Sequence, residues 1–163
     1  MPTLNFTSTS LPVSKQFHQL LSEHCQTVLT LDSLETTSQR LTICFRDKHY
    51  SAESGGCHPV EIGLNITNEA NVTIIYITDF AYVGNHYPEL KRHIDFDFSH
   101  QLYFTVESGW QRIHSSEVED LYRMWEQEFI SHVQDGKYDD IKAILQCSSC
   151  KPHTATVTLR EFK

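Results

Sequence analysis

The chain is predicted to fold as α+β, a mainly antiparallel sheet of about five to seven strands with two principal helices packed on one face. Three observations predict it. Two segments, 14–29 and 116–133, carry apolar residues at helical spacing. Several others alternate apolar and polar residues with the period of two that a half-buried strand requires. The links between the alternating segments are short, which pairs neighbours as hairpins rather than through crossovers.

In the first helix Phe17, Leu20, Leu21, His24 and Val28 form one stripe, with Pro12 and Ser14 placed where a helix begins. Leu41, Ile43 and Phe45 then alternate with Thr42, Cys44 and Arg46 as a strand. Val60, Ile62, Leu64 and Ile66 alternate with Glu61, Gly63, Asn65 and Thr67, and residues 68–71 lead into a second apolar run over 72–80, so the two form a hairpin. Residues 88–93 are expected to make a turn of helix. Residues 95–98 and 102–106 alternate again around Ser99-His100-Gln101 as a second hairpin. Ser116 and Glu119 fit a capping box in front of the stripe Val118, Leu121, Tyr122, Trp125, Phe129 and Val133, which stops at Asp135-Gly136. Finally, residues 138–146 and the alternation of Ala155, Val157 and Leu159 read as a third hairpin with 147–153 as its loop.

A chain of 163 residues suits one domain over 1–163, with 1–11 as a loosely ordered arm. Hydrophobic residues at 39% and charged residues at 21% give a globular composition. The formal charge of −8 excludes nucleic acid and anionic membrane as partners, because both are held by Lys and Arg. The start of the chain lacks the basic and apolar regions of a signal peptide, no apolar run approaches a membrane span, and the five cysteines are an odd number. These features imply a cytoplasmic monomer with reduced thiols.

The unusual residues concentrate in two blocks, 47–62 and 76–90, followed by 93–98, where aromatics, histidines, carboxylates, glycines and prolines alternate densely. Tyr50-Ser51, Gly55-Gly56, His58-Pro59-Val60-Glu61-Ile62, Thr78-Asp79-Phe80, Tyr82-Val83-Gly84, Tyr87-Pro88-Glu89-Leu90 and Asp95-Phe96-Asp97-Phe98 together resemble an uncharacterised bacterial family, domain of unknown function 2787, over roughly residues 12 to 146. The resemblance implies a small bacterial α+β protein. It transfers no activity, cofactor or catalytic residue.

Chemistry must therefore be read from the residues. Cys147-Ser148-Ser149-Cys150 with His153 has the spacing of half a zinc site, but lacks a second pair and is read as a loop with reduced thiols. Asp95 and Asp97 project from one face of an extended segment and are read as its solvated side. His58 has the titration range for acid and base work, with Ser51, Ser54 and Cys57 as the nearest nucleophiles, yet no known catalytic fingerprint occurs. Tyr50, Tyr76, Tyr82, Tyr87 and His86 suggest a polar aromatic surface. The preferred reading is a non-enzymatic module, without cofactor or metal, that recognises a partner protein or small-molecule ligand through the loops 47–59 and 79–90, with Tyr50, His58, Glu61, Asp79 and Tyr82 as contacts. The alternative is a divalent-metal-dependent hydrolase with Glu61, Asp79, Asp95 and Asp97 as ligands and His58 as base.

Overall fold

A computed structural model of the chain describes residues 3–29, 38–67 and 69–147. Its elements are β1 (Asn5–Phe6), α1 (Lys15–Cys25), β2 (Ser38–Arg46), β3 (Val60–Thr67), β4 (Asn71–Val83), β5 (Glu89–Asp97), β6 (Leu102–Thr105), β7 (Gly109–Arg112), α2 (Ser116–Gln134) and β8 (Asp140–Cys147). The strands form one sheet in the order β7-β6-β5-β4-β3-β2-β8, and β1 joins it beside β4. Every pairing is antiparallel except β1 with β4. Two helices against a large antiparallel sheet are the expected α+β plan. The sheet has eight strands rather than five to seven, because the two-residue β1 and the four-residue Gly109–Arg112 are too short to show a period.

The order of strands dictates the path of α2. This helix leaves β7 at one edge of the sheet and delivers the chain to β8 at the other. Its 19 residues span about 28 Å at 1.5 Å per residue. Six strand spacings of roughly 4.8 Å amount to about 29 Å. The helix is therefore as long as the sheet is wide, and its apolar stripe lies across the whole core. Tyr122, Trp125 and Phe129 meet Phe96, Phe45 and Phe17 at ring centroid distances of 5.0 to 6.3 Å. Phe17, Leu20, Leu21 and Cys25 of α1 are buried in the same layer.

Several expected elements change in detail. The cap of α2 is Ser115, whose extended backbone (φ −158°, ψ 155°) lets its hydroxyl accept from the Val118 amide, so the Ser116–Glu119 box does not form. Helix α1 ends at Cys25 rather than 29: the Thr27 amide and hydroxyl both bond the His24 carbonyl, which the next helical turn would have used. The expected helical turn at 88–93 is instead the start of β5, held by pairing of residues 89–92 with 80–83 of the long β4. The loose arm expected over 1–11 is docked in its described part, with Asn5 and Thr7 amides bonded to the Ala70 and Val72 carbonyls and Leu4 and Leu11 buried. Strand β8 pairs with β2. The expected partner at 155–159, and Cys150 and His153, lie outside the described residues.

The sheet face opposite the helices carries buried polar groups. Asp95 and Asp97 are buried there instead of solvated. Asp95 accepts from Thr78 at 2.8 Å and pairs with Arg92 at 3.2 Å, while the guanidinium lies over Trp110 and Phe104. Asp97 accepts from Ser99 and from the His100 amide. Glu61 is fully buried and accepts from Tyr76 at 3.0 Å. Among the described residues no helix is long and apolar enough to cross a membrane.

Candidate functional site

The two residue blocks meet at one end of the sheet because of the β3 and β4 pairing. Val60 is opposite Asp79, which sets the segment before β3 beside the far end of β4. The loop 47–57 is organised by Asp47, whose carboxylate accepts from the amides of His49 and Cys57 at 2.9 and 3.1 Å. These two hydrogen bonds from amides hold the Asp47 carboxyl below its ordinary pKa, against a smaller opposing effect of burial. Gly56 makes the close approach possible: its φ is +127°, and a Cβ there would stand 2.8 Å from Asp47 Oδ2 and 3.1 Å from the Tyr50 backbone.

Tyr50 ties this loop to β4. Its hydroxyl accepts from the Tyr82 amide at 3.0 Å, its ring lies 5.3 Å from that of Tyr82, and the same distance separates it from the ring of His58. Together Tyr50, His58, Tyr82, the turn 51–56 and the turn 84–88 wall an open recess of about 570 Å³. Tyr82 is 39% exposed and lines it.

Behind the recess lies a polar cluster in which Asp79 and Trp125 are buried and His58 and His93 are half-buried. His58 Nδ1 is 2.8 Å from Asp79 Oδ1, and the Trp125 indole N–H donates to Asp79 Oδ2 at 3.0 Å. His93 Nδ1 stands 3.6 Å from the same Oδ1. The rings of His58 and His93 are perpendicular with centroids 5.1 Å apart, and the Tyr138 hydroxyl donates to the His58 carbonyl. The hydrogen bond that His58 donates to Asp79 raises the His58 pKa above its ordinary value, against the lowering effect of burial. Burial pushes the Asp79 carboxyl up, but His58, His93 and Trp125 around it outweigh that and leave it below the usual carboxylate range. Asp79 is thus an anion, and His58 presents Nδ1–H to it and keeps Nε2 as its basic atom. A second cavity of about 190 Å³ lies against this cluster, roofed by α2.

Of the residues expected to act together, Tyr50, His58 and Tyr82 line the recess and Asp79 anchors His58 from behind. Glu61 does not join them. It is paired with Thr78, the neighbour of Asp79, and so projects from the opposite sheet face. The hydrolase ligand set fails for the same reason: Asp79 faces the helices, while Glu61 and Asp95 face away. Tyr76 lies with Glu61, and Tyr87 is 89% exposed. The nucleophile candidates are engaged otherwise. Ser51 and Ser54 hydroxyls bond each other within their turn, and burial pushes the Cys57 thiol up.

Two members of the cluster are absent from the expected set. Alternation along β5 puts Ile94 and Phe96 on the helix side and would turn His93 away. A bulge intervenes, since Asp79 pairs with Ile94 and Phe80 with Arg92, leaving His93 as the extra residue and re-aiming its ring toward Asp79. Trp125 reads as part of the α2 stripe, and the only signal of a second role is that a buried indole N–H needs an acceptor.

Comparison with known proteins agrees with the fold and is silent on chemistry. No curated protein matches the chain. The structure of the hypothetical protein VC0508 from the Vibrio cholerae VSP-II pathogenicity island is similar, with a TM-score of 0.75 and 42% identity, covering 86% of this chain and 99% of that one. So is the conserved hypothetical protein VC1805 from pathogenicity island VPI-2 of Vibrio cholerae O1 biovar eltor, with a TM-score of 0.73 and 41% identity over 85% of this chain and 99% of the other, itself described as sharing structural homology with the human P32 protein. A family model matches residues 15–144, and the chain belongs to that family, described as protein of unknown function (DUF2787).

Proposed function

We infer that the protein is a non-catalytic recognition module whose ligand is a small polar molecule held in the recess between the loops at 47–59 and 79–90. The observation that carries this reading is the recess itself: about 570 Å³, walled by both loops and floored by His58. That volume falls within the range of roughly 300–1,000 Å³ usual for small-molecule sites. Tyr50 and Tyr82 supply flat contact area at low entropic cost, His58 supplies a nitrogen fixed in direction by Asp79, and the turn 51–56 adds polar backbone and the Glu53 side chain. The absence of an activated nucleophile among the described residues that line the recess argues for binding rather than turnover.

The test is a screen of a metabolite library by thermal shift, followed by amide and ring NMR of the responders. A ligand that raises the melting temperature and shifts Tyr50, His58 and Tyr82 resonances supports the reading, provided Tyr82→Ala abolishes the effect. A responder whose perturbations fall elsewhere, or a screen in which nothing binds while a partner protein is captured independently of Tyr82, rejects it.

A further inference from the structure

We propose that His58, His93 and Asp79 form a binding site for one transition-metal ion of the Zn²⁺ class. This site adjoins the recess and shares His58 with it, but it does not depend on the recess being a ligand pocket.

Three observations carry the assignment. First, among the described residues these are the only three or more His, Cys, Asp or Glu side chains whose ligand atoms all lie within 4.8 Å of one another. Two imidazoles and a carboxylate match Zn²⁺, Co²⁺ and Ni²⁺, whereas Mg²⁺ and Ca²⁺ prefer oxygen alone. Second, His93 Nδ1 is shut off from solvent and stands 3.6 Å from Asp79 Oδ1, an ion-pair separation longer than a full hydrogen bond. A ring nitrogen and a carboxylate oxygen held at that separation leave a place that a cation bonded to both would fill. Third, the carboxylate is oriented as a ligand. The Trp125 N–H holds Oδ2, so Oδ1 alone is turned toward both histidines. An outer donor that fixes one oxygen and leaves the other for the ion is the usual support of a metal-binding carboxylate.

Two of the three donor separations can be compared with those of a bound ion. Bonds of about 2.0–2.2 Å to nitrogen and oxygen at tetrahedral angles put donor atoms about 3.3–3.5 Å apart. The His93 separation of 3.6 Å already suits this. The His58 separation of 2.8 Å is a hydrogen bond through Nδ1–H, and it must open by roughly half an ångström as the ion takes the proton's place. In the neutral imidazole that proton moves to Nε2, and a proton is released to water only where His58 starts as the imidazolium, so binding weakens as pH falls and His58 becomes doubly protonated. With three protein donors the ion keeps a further position for water, on the side of the cavity under α2.

The chain holds another group of metal-binding residue types, Cys147, Cys150 and His153, and the experiment must separate the two. The full chain is stripped with EDTA, desalted into buffer with a non-chelating reductant, and titrated calorimetrically with Zn²⁺ and, by visible absorption, with Co²⁺. We expect one equivalent bound, unchanged affinity in the double variant Cys147→Ser/Cys150→Ser, and at least tenfold weaker binding in His93→Ala. The Co²⁺ complex shows ligand-field bands without thiolate charge transfer. Should His93→Ala fail to fold, nitrogen NMR of the intact protein decides, since Zn²⁺ must move the Nδ1 resonances of both His58 and His93. Binding that survives in His93→Ala, or vanishes in the cysteine variant, or is absent at millimolar Zn²⁺, overturns the proposal, as do unmoved imidazole resonances.

Discussion

Replacing Asp79 by Asn in metal-free protein is the sharpest test of how the cluster is built. The substitution keeps shape and volume and removes one charge. Asp79 accepts from two directions, His58 Nδ1 at 2.8 Å and Trp125 Nε1 at 3.0 Å. An indole can only donate, so the amide oxygen of Asn must turn to Trp125, and its NH₂ then faces His58. The imidazole can meet it only by offering a bare Nδ1, which requires the other tautomer. Loss of one charge-assisted hydrogen bond in a largely buried place costs about 1.5–3 kcal/mol. On a urea slope of roughly 2 kcal/mol per molar, the midpoint falls by about 1 M.

The pH dependence gives the same test a sign. The folded pKa of His58 lies above its unfolded value. Its pairing with Asp79 therefore contributes fully below about pH 6.5 and is lost as pH rises through the folded pKa. In Asp79→Asn a protonated His58 would point N–H at N–H. The gap between wild type and variant should thus be widest near pH 6 and narrow steadily toward pH 9. Urea unfolding followed by tryptophan fluorescence at intervals across that range measures it. A gap under about 0.5 kcal/mol at every pH, typical of surface substitutions, or one that widens as pH rises, refutes the arrangement.

Other parts of the fold can be tested separately. Ser115→Ala should lower stability by about 1 kcal/mol and Ser116→Ala by almost nothing, since the first residue caps α2; the reverse ranking in chemical denaturation restores the capping box. Gly63→Ala places a Cβ 2.3 Å from the Tyr76 ring, which cannot move without leaving Glu61, and the added crowding and strained hydrogen bond should together cost about 3 kcal/mol or more, read as a lower melting temperature. Tyr82→Ala, at an exposed ring, should change stability by no more than about 0.5 kcal/mol, so any binding it abolishes is a local effect. Asp47 has a folded pKa below its unfolded value; its support of the loop is present above about pH 3.8 and fails as pH falls through the folded value, so amide exchange at His49 and Cys57 should accelerate there, and an unchanged rate speaks against the carboxylate as organiser.

What the sequence makes legible follows the range of each interaction. Period and turn chemistry are local, so the helical stripes, the 68–71 hairpin and the neighbourhood of the two loops can be read directly. Pairing between distant segments is not local. The docking of Asn5–Phe6 on β4 depends on a partner far along the chain. The hydrolase ligand set presumes that Glu61 and Asp79 can reach one point, although their register partners are adjacent and their faces opposite. His93 shows the limit most clearly: the pattern of residues 93–98 predicts its side chain on one face, and a single extra residue in the register with β4 sends it to the other. Bulges are set by tertiary pairing, and the letters of β5 carry no mark of it.

The molecule buries ionisable groups on both sides of its sheet, and accessibility distinguishes them. Glu61 with Tyr76, and Asp95 with Thr78 and Arg92, are buried with a specific partner each. Around His58, Asp79 and His93 the packing opens instead, with one cavity under α2 and the recess in front sharing His58 as a common wall. Stability alone does not account for such an opening, since a paired buried charge set can often be replaced by well-packed apolar side chains at little cost. Nor does it account for two imidazoles converging on one oxygen of a charged carboxylate. Both become intelligible if the space is where a further chemical species binds, which makes the helix-side cluster, and not the more acidic face behind it, the place where function is to be sought.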